Sequence, residues 1–295
     1  MLSLVFPLNN IIIRINIRVN NIMHKKQRSD IIIRKMSKCQ KVRRLALMIF
    51  DSHAHYDDRA FDEDREKVIK KIKEAGVTRV LNCAASIESC YSTIELTKKH
   101  DFFYGAVGVH PEFANEVDIN LTGDLTKNEK IVAIGEIGLD YYWDYDKDKQ
   151  MRAFKEQLDL AKQLNLPVVV HNREAHDDTL RVLKEFKGLK GVLHCYSGSL
   201  EFAKEFVKLG FFLGFTGVVT FKNAKKAVEV VENIPLEYIL VETDCPYMAP
   251  HPHRGERNDS SYLPFIIQKI ADIKNISFEE ARDRTFENAA RLFNI

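Results

Sequence analysis

No apolar run in this 295-residue sequence approaches the ~18–20 residues needed to cross a bilayer, and no apolar segment with a small-residue cleavage site stands at its start. A membrane-spanning protein is thereby excluded, and secretion is not expected. The phosphate-cradling pattern G-x-x-x-x-G-K-[ST] is missing, and no G-x-G-x-x-G follows the first apolar run, so an open nucleotide-binding sheet lacks its usual marks. There is no C-x-x-C pair either. The five cysteines, Cys39, Cys83, Cys90, Cys195 and Cys245, are odd in number and widely spaced, which reads as reduced thiols in a cytoplasmic protein.

Acids are nearly absent from one stretch. Residues 1–47 contain 11 of the 44 Lys and Arg but only one of the 42 acids, Asp30, which leaves residues 48–295 with 33 Lys and Arg against 41 acids, a net of −8. The larger part is mildly acidic and presents no broad basic face, so any polyanion it handles is gripped locally by a few cations or by metal. Residues 1–47 are read as a basic N-terminal extension: a disordered leader, a start assigned upstream of Met48, or an organellar targeting segment. Their asparagines and scattered isoleucines fit a targeting helix poorly.

With 45% hydrophobic side chains, the rest is enough chain for one large core. From Met48 on, short runs rich in β-branched and aromatic residues alternate with longer helix-period segments. Eight strands are expected at Ile49–His53, Arg79–Cys83, Phe103–Val109, Ile131–Glu136, Pro167–His171, Gly191–His194, Phe211–Phe215 and Tyr238–Glu242. Helices are expected between them, among them Asp64–Ala75, Ile87–His100, Asp148–Leu164, Asp177–Phe186, Leu200–Leu209 and Lys222–Asn233, with Tyr262–Lys274 and Ser277–Phe293 after the last strand. Gly76 and Gly210 sit where left-handed helix caps are wanted. Helical links between apolar strands imply parallel pairing, and eight such units over residues 48–295 fit a (β/α)8 TIM barrel.

Chemistry shows in where the metal-type residues fall. Asp51-Ser52-His53-Ala54-His55 ends the first strand, and two histidines two apart in extended chain point the same way. Glu136 ends the fourth apolar run, where an unpaired carboxylate would be costly to bury. His171 ends the fifth strand, His194 the sixth, and Asp244 follows the eighth. Singly, each reads as well as a rim or core residue. In a barrel, however, all these strand ends open on one face, and four histidines with two carboxylates exceed what one ion needs. Two ions sharing Glu136 is the expectation. No lysine at that strand end offers a carbamylated alternative.

Six segments, Asp51-Ser52-His53-Ala54-His55, Gly108-Val109-His110-Pro111, Gly135-Glu136-Ile137-Gly138-Leu139-Asp140, His171-Asn172-Arg173, His194-Cys195-Tyr196-Ser197-Gly198 and Glu242-Thr243-Asp244-Cys245-Pro246-Tyr247, together resemble the signature segments of the TatD-type metal-dependent deoxyribonucleases, across 48–295. The resemblance implies an amidohydrolase-like barrel acting as a DNA 3′→5′ exonuclease. It also implies that His53, His55 and Asp244 hold one divalent ion, His171 and His194 the other, and Glu136 both. Magnesium, manganese and zinc all stay open as the metal. The ions would activate a water in line with phosphorus, with Asp244 receiving its proton.

Around the mouth, His110, Arg173 and Arg257 are candidates to meet substrate; a turn-fixing role for His110 and an ion pair for Arg173 are the competing readings. Tyr141-Tyr142-Trp143 either stacks a base or packs on the rim. The loop His253–Asn258 is expected to close over substrate. Family members usually continue Arg-Asn-Glu-Pro there, whereas this chain has Arg257-Asn258-Asp259-Ser260. Cys195 and Cys245 read as packing residues. DNA with single-stranded ends is the expected partner, with no membrane and no stable protein partner. Two alternatives stand beside this: an ester or amide hydrolase such as a D-aminoacyl-tRNA deacylase on the same site, and a metal-binding protein without catalysis.

Overall fold

A computed structural model describes residues 48–295, so the expectations for residues 1–47 lie outside the described residues. Every residue of the first strand, β1 (Ile49–Ala54), is buried, as a strand covered on both faces must be. Seven more follow: β2 (Val77–Cys83), β3 (Phe103–Val107), β4 (Ile131–Asp140), β5 (Val168–Arg173), β6 (Gly191–Leu193), β7 (Phe212–Phe215) and β8 (Ile239–Val241). They pair in parallel in the order β1 to β8. Between them run α1 (Arg65–Glu74), α2 (Ile87–Lys99), α3 (Ile119–Leu125), α4 (Lys147–Leu164), α5 (His176–Glu185), α6 (Leu200–Lys208) and α7 (Lys225–Asn233), and after β8 come α8 (Leu263–Lys274) and α9 (Phe278–Phe293). This is the expected eightfold β/α barrel.

Residues just past β8 close the circle. The Asp244 amide donates to the His53 carbonyl at 2.9 Å and the His55 amide to that of Cys245 at 2.9 Å, while Ser52 Oγ donates to the Val241 carbonyl at 3.1 Å. The barrel interior takes at least one apolar residue from each strand: Phe50, Leu81, Ala106, Ala133, Val169, Val192, Phe212 and Leu240. Leu292 and Phe293 of α9 join that layer, with the Phe293 ring 6.0 Å from Phe50. Helix α9 thereby plugs the N-terminal end of the barrel, and chemistry is left to the other end. Truncating Phe50 to alanine would cost on the order of 3–5 kcal/mol.

Local signals explain the ends of the elements. Ser86, Asp146 and Ser277 accept first-turn amides of α2, α4 and α9. Gly76 and Gly210 have φ of 94° and 89°, as expected. Asn165, Asn275 and Asn294 do the same duty at three other helix ends. Some boundaries differ from expectation. β3 stops at Val107, β6 stops one residue before His194, and β8 stops at Val241, so Glu242 to Asp244 lie beyond it. β4 instead runs on to Asp140, because Gly138, with φ of 150°, lets the β5 backbone come where a side chain would strike the His171 carbonyl. Helix α3 was not expected: it is seven residues long, with Thr122 and Gly123 inside it, too short to show a period.

Candidate metal centre

Strand ends bring six predicted residues to one place. His53 and His55 leave β1, Glu136 lies in β4, His171 in β5, His194 follows β6, and Asp244 follows β8. The two oxygens of Glu136 face different pairs of imidazoles. Oε2 lies 3.4 Å from His53 Nε2 and 3.5 Å from His55 Nε2. Oε1 lies 2.8 Å from His171 Nδ1 and 2.6 Å from His194 Nε2. Asp244 Oδ1 completes the first group, 3.6 Å from His53 Nε2 and 3.4 Å from His55 Nε2.

The donor set fits a metal. Among the described residues the ion pairs of Glu136 and Asp244 are with histidines and not with Lys or Arg, and within each half nitrogen faces nitrogen: His53 Nε2 to His55 Nε2 at 3.0 Å, and His171 Nδ1 to His194 Nε2 at 3.1 Å. Ligand atoms each ~2.1 Å from a shared ion would stand ~3.0 Å apart in an octahedron and ~3.4 Å in a tetrahedron, and the two nitrogen–nitrogen separations of 3.0 and 3.1 Å fall there. His53, His55, Glu136 and Asp244 could hold one ion, and Glu136, His171 and His194 a second.

Electrostatics among these groups follow from the crowding. Burial works against a charged Glu136, yet His194, His53 and His171 hold its carboxyl well below the usual range. Asp244 is likewise held down by His55, His194 and His53 despite burial. Burial and His194 lower His53 to about 4. His55, although buried, is raised to about 10 by Asp244 and Glu136, and His171 to about 9 by Asp140 and Glu136. Burial pushes the thiols of Cys195 and Cys245 up, so both suit packing rather than nucleophilic attack.

The remaining candidates divide. Nδ1 of His110 accepts the Glu112 amide at 3.2 Å, so in the neutral ring Nε2 carries the proton, and it points at Glu136 Oε1 from 3.8 Å. Burial lowers His110 to about 3, keeping it neutral. His110 both fixes its turn and offers a donor to the site. Arg173 lines the mouth and makes no ion pair among the described residues; its guanidinium lies 3.7 Å from the Tyr142 ring centre and 5.8 Å from that of Trp143. Tyr142 and Trp143 stay about half exposed, whereas Tyr141 packs against the core and donates its hydroxyl to Asp178.

Arg257 is not brought to the site. Its guanidinium donates to Oδ2 of the cleft-lining Asp64 at 2.7 Å and to the Ala60 carbonyl, and Arg257 itself does not line the cleft. The loop expected to close over substrate is instead tied down. Asn258 Nδ2 donates to the carbonyls of Thr243 and Tyr247, and Ser260 Oγ donates to Asp51 Oδ2 at 2.6 Å. The chain's departure at Asp259-Ser260 thus builds its own anchor, since Asp259 also pairs with Lys71 at 2.7 Å.

Three buried acids of the quoted segments received no role from sequence reasoning. Asp140 Oδ2 lies 3.1 Å from His171 Nε2 and holds a proton there, so Nδ1, turned to Glu136, is the nitrogen that a metal would take once its own proton is displaced. Its signal was its place four residues after Glu136, on the same strand face, but only if β4 is known to continue. Glu242 accepts the Cys195 amide at 2.5 Å and lies 3.9 Å from His194 Nδ1; Gly214 is glycine because a side chain would strike that carboxylate. Asp51 binds the amide and hydroxyl of Thr243, holding the segment that carries Asp244.

Above these groups opens a cleft of about 2490 Å³. Among the described residues no helix is long and apolar enough to cross a membrane. The sequence profile described as TatD related DNase matches residues 50–294. The chain is 44% identical over 254 residues to the metal-dependent hydrolase YabD of Bacillus subtilis, covering 84% of this chain and 100% of that one. It is 36% identical over 256 residues to the metal-dependent hydrolase YcfH of Escherichia coli, covering 84% and 97%. The crystal structure of the TatD homolog YjjV from Escherichia coli superposes with a TM-score of 0.80 at 29% identity, over 85% of this chain and 99% of that one.

Proposed function

Since this chain belongs to the TatD-related DNase family and is a metal-dependent hydrolase, we propose that it cleaves phosphodiester bonds of DNA from free single-stranded 3′ ends, using two divalent ions. One observation carries this reading: Glu136 turns one oxygen to His53 and His55 and the other to His171 and His194, the arrangement a carboxylate needs to bridge two ions.

Bound there, the ions would supply Lewis acidity at the phosphoryl oxygens and acidify the attacking water. The chain's own groups do the rest. Asp244 takes the water's proton, since its carboxyl is held ionised beside the histidines. His110 Nε2–H donates to a phosphoryl oxygen, and Asp140 keeps His171 in the binding tautomer. Tyr142 and Trp143, exposed beside Arg173, offer faces on which an unpaired base can stack.

The test is digestion of a 5′-labelled single strand with magnesium, manganese or zinc, beside a circular strand, a D-aminoacyl-tRNA and a chelator control. A ladder shortening from the 3′ end, abolished by chelator, supports the reading. Equal cleavage of the circle makes the enzyme an endonuclease. Deacylation of the tRNA with no cut in any DNA replaces the reading with carbonyl chemistry at the same centre.

A further inference from the structure

The two walls of the cleft carry opposite charge. On the side formed after β1, β2 and β3, ten acids and five bases line it, and three of those bases, Arg65, Lys98 and Lys99, are already paired with acids of the same wall. On the side formed after β5, β6 and β7, the charged lining outside the histidine cluster is Arg173, Lys225 and Lys226, with no acid. All three are exposed, and none makes an ion pair among the described residues.

Helix formation does not account for the lysines. Lys225 and Lys226 open α7, where a cation opposes the helix dipole, and α7 has neither an acid in its first turn nor a side-chain cap. Asn172, on the same side, supplies an independent sign of a ligand: it is 8% exposed, borders the cleft, and neither amide atom has a hydrogen-bond partner. A buried amide without partners is uncommon, and a phosphodiester strand brings both acceptors and base-edge donors.

Resting on the reading above that the substrate is a nucleic-acid strand, we infer that its phosphates run from the metal centre along the β5–β7 wall, held by Arg173, Lys225 and Lys226, and are kept off the β1–β3 wall by its acids. A chain with net charge −8 over residues 48–295 grips its polyanion through this one local strip.

The experiment measures binding of a fluorescein-labelled 12-nucleotide single strand by anisotropy in EDTA, so that hydrolysis is not needed for the readout. Wild type, K225E/K226E and, as a control with the same charge change at the opposite end of the barrel, K187E/K190E are compared across salt concentrations. Loss of two phosphate contacts should flatten the plot of log affinity against log salt by about 1.4. The same variant should weaken binding at least about tenfold at low salt, with K187E/K190E unchanged. Equal losses in both variants, or none in K225E/K226E, overturn the inference. Wild-type hydrolysis of a small phosphodiester, assayed separately with metal, reports on the proposed chemistry alone: its absence would sink that reading and leave the binding result to be judged by itself.

Discussion

Ser260 Oγ donates to Asp51 Oδ2 at 2.6 Å, joining the last loop to the first strand across 209 residues of sequence. The same serine's amide donates to the Tyr56 hydroxyl at 3.0 Å. Ser260→Ala removes a hydrogen bond to a buried carboxylate and should lower stability by roughly 1–3 kcal/mol. Urea unfolding measures this, and an unchanged midpoint would show the bond to be dispensable.

Glu136→Ala should abolish hydrolysis and strip more metal than His110→Ala does, because Glu136 faces both halves of the centre and His110 only its edge. Elemental analysis of both purified variants decides. Two ions retained with near-normal turnover in the Glu136 variant would disprove the bridge.

Asp140→Asn should weaken metal binding about 10- to 100-fold, the usual loss when the group orienting a histidine ligand is changed. Its effect should be on the ion beside His171, since that ring is the one it touches. A titration showing two steps of unaltered affinity would reduce Asp140 to a packing role.

Metal affinity should rise with pH. Burial alone would lower His55 and His171, but their carboxylate neighbours raise them to about 10 and about 9, so both carry a proton at pH 7 that a metal must displace. Below pH 9, each displaced proton adds about one log unit of affinity per pH unit. Zinc calorimetry from pH 6 to 8, in two buffers of different ionisation heat, counts the protons released; a pH-independent constant would contradict the arrangement.

A chain starting at Met48 should fold and keep full activity, since all eight barrel strands and every proposed ligand lie after that residue. Circular dichroism and the digestion assay compare it with the full chain. Loss of either property would make residues 1–47 part of the working protein.

The barrel was legible because strands buried on both faces read as short apolar runs, and the centre because His53, Glu136 and His171 stand where such runs end. What the sequence hid depended on distant partners. Arg257 resembles a mouth residue until Asp64, 193 positions away, is seen to hold it. Asp140 vanished because glycines at 135 and 138 lower strand propensity just where β4 continues. Lys225 and Lys226 belong to no motif in the sequence; only the cleft, assembled from several loops, sets them against the acids of the other wall.

The backbone bonds that join His53 and His55 to Asp244 and Cys245 bear on the making of the protein. A ribosome delivers both histidines almost two hundred residues before the aspartate, and Ser260, which anchors the loop, later still. During synthesis the early segments therefore hold an incomplete set of ligands, and a hydrolytic centre arises only when the two distant ends of the barrel meet. The hydrolytic centre is thus complete only when the chain itself is nearly whole.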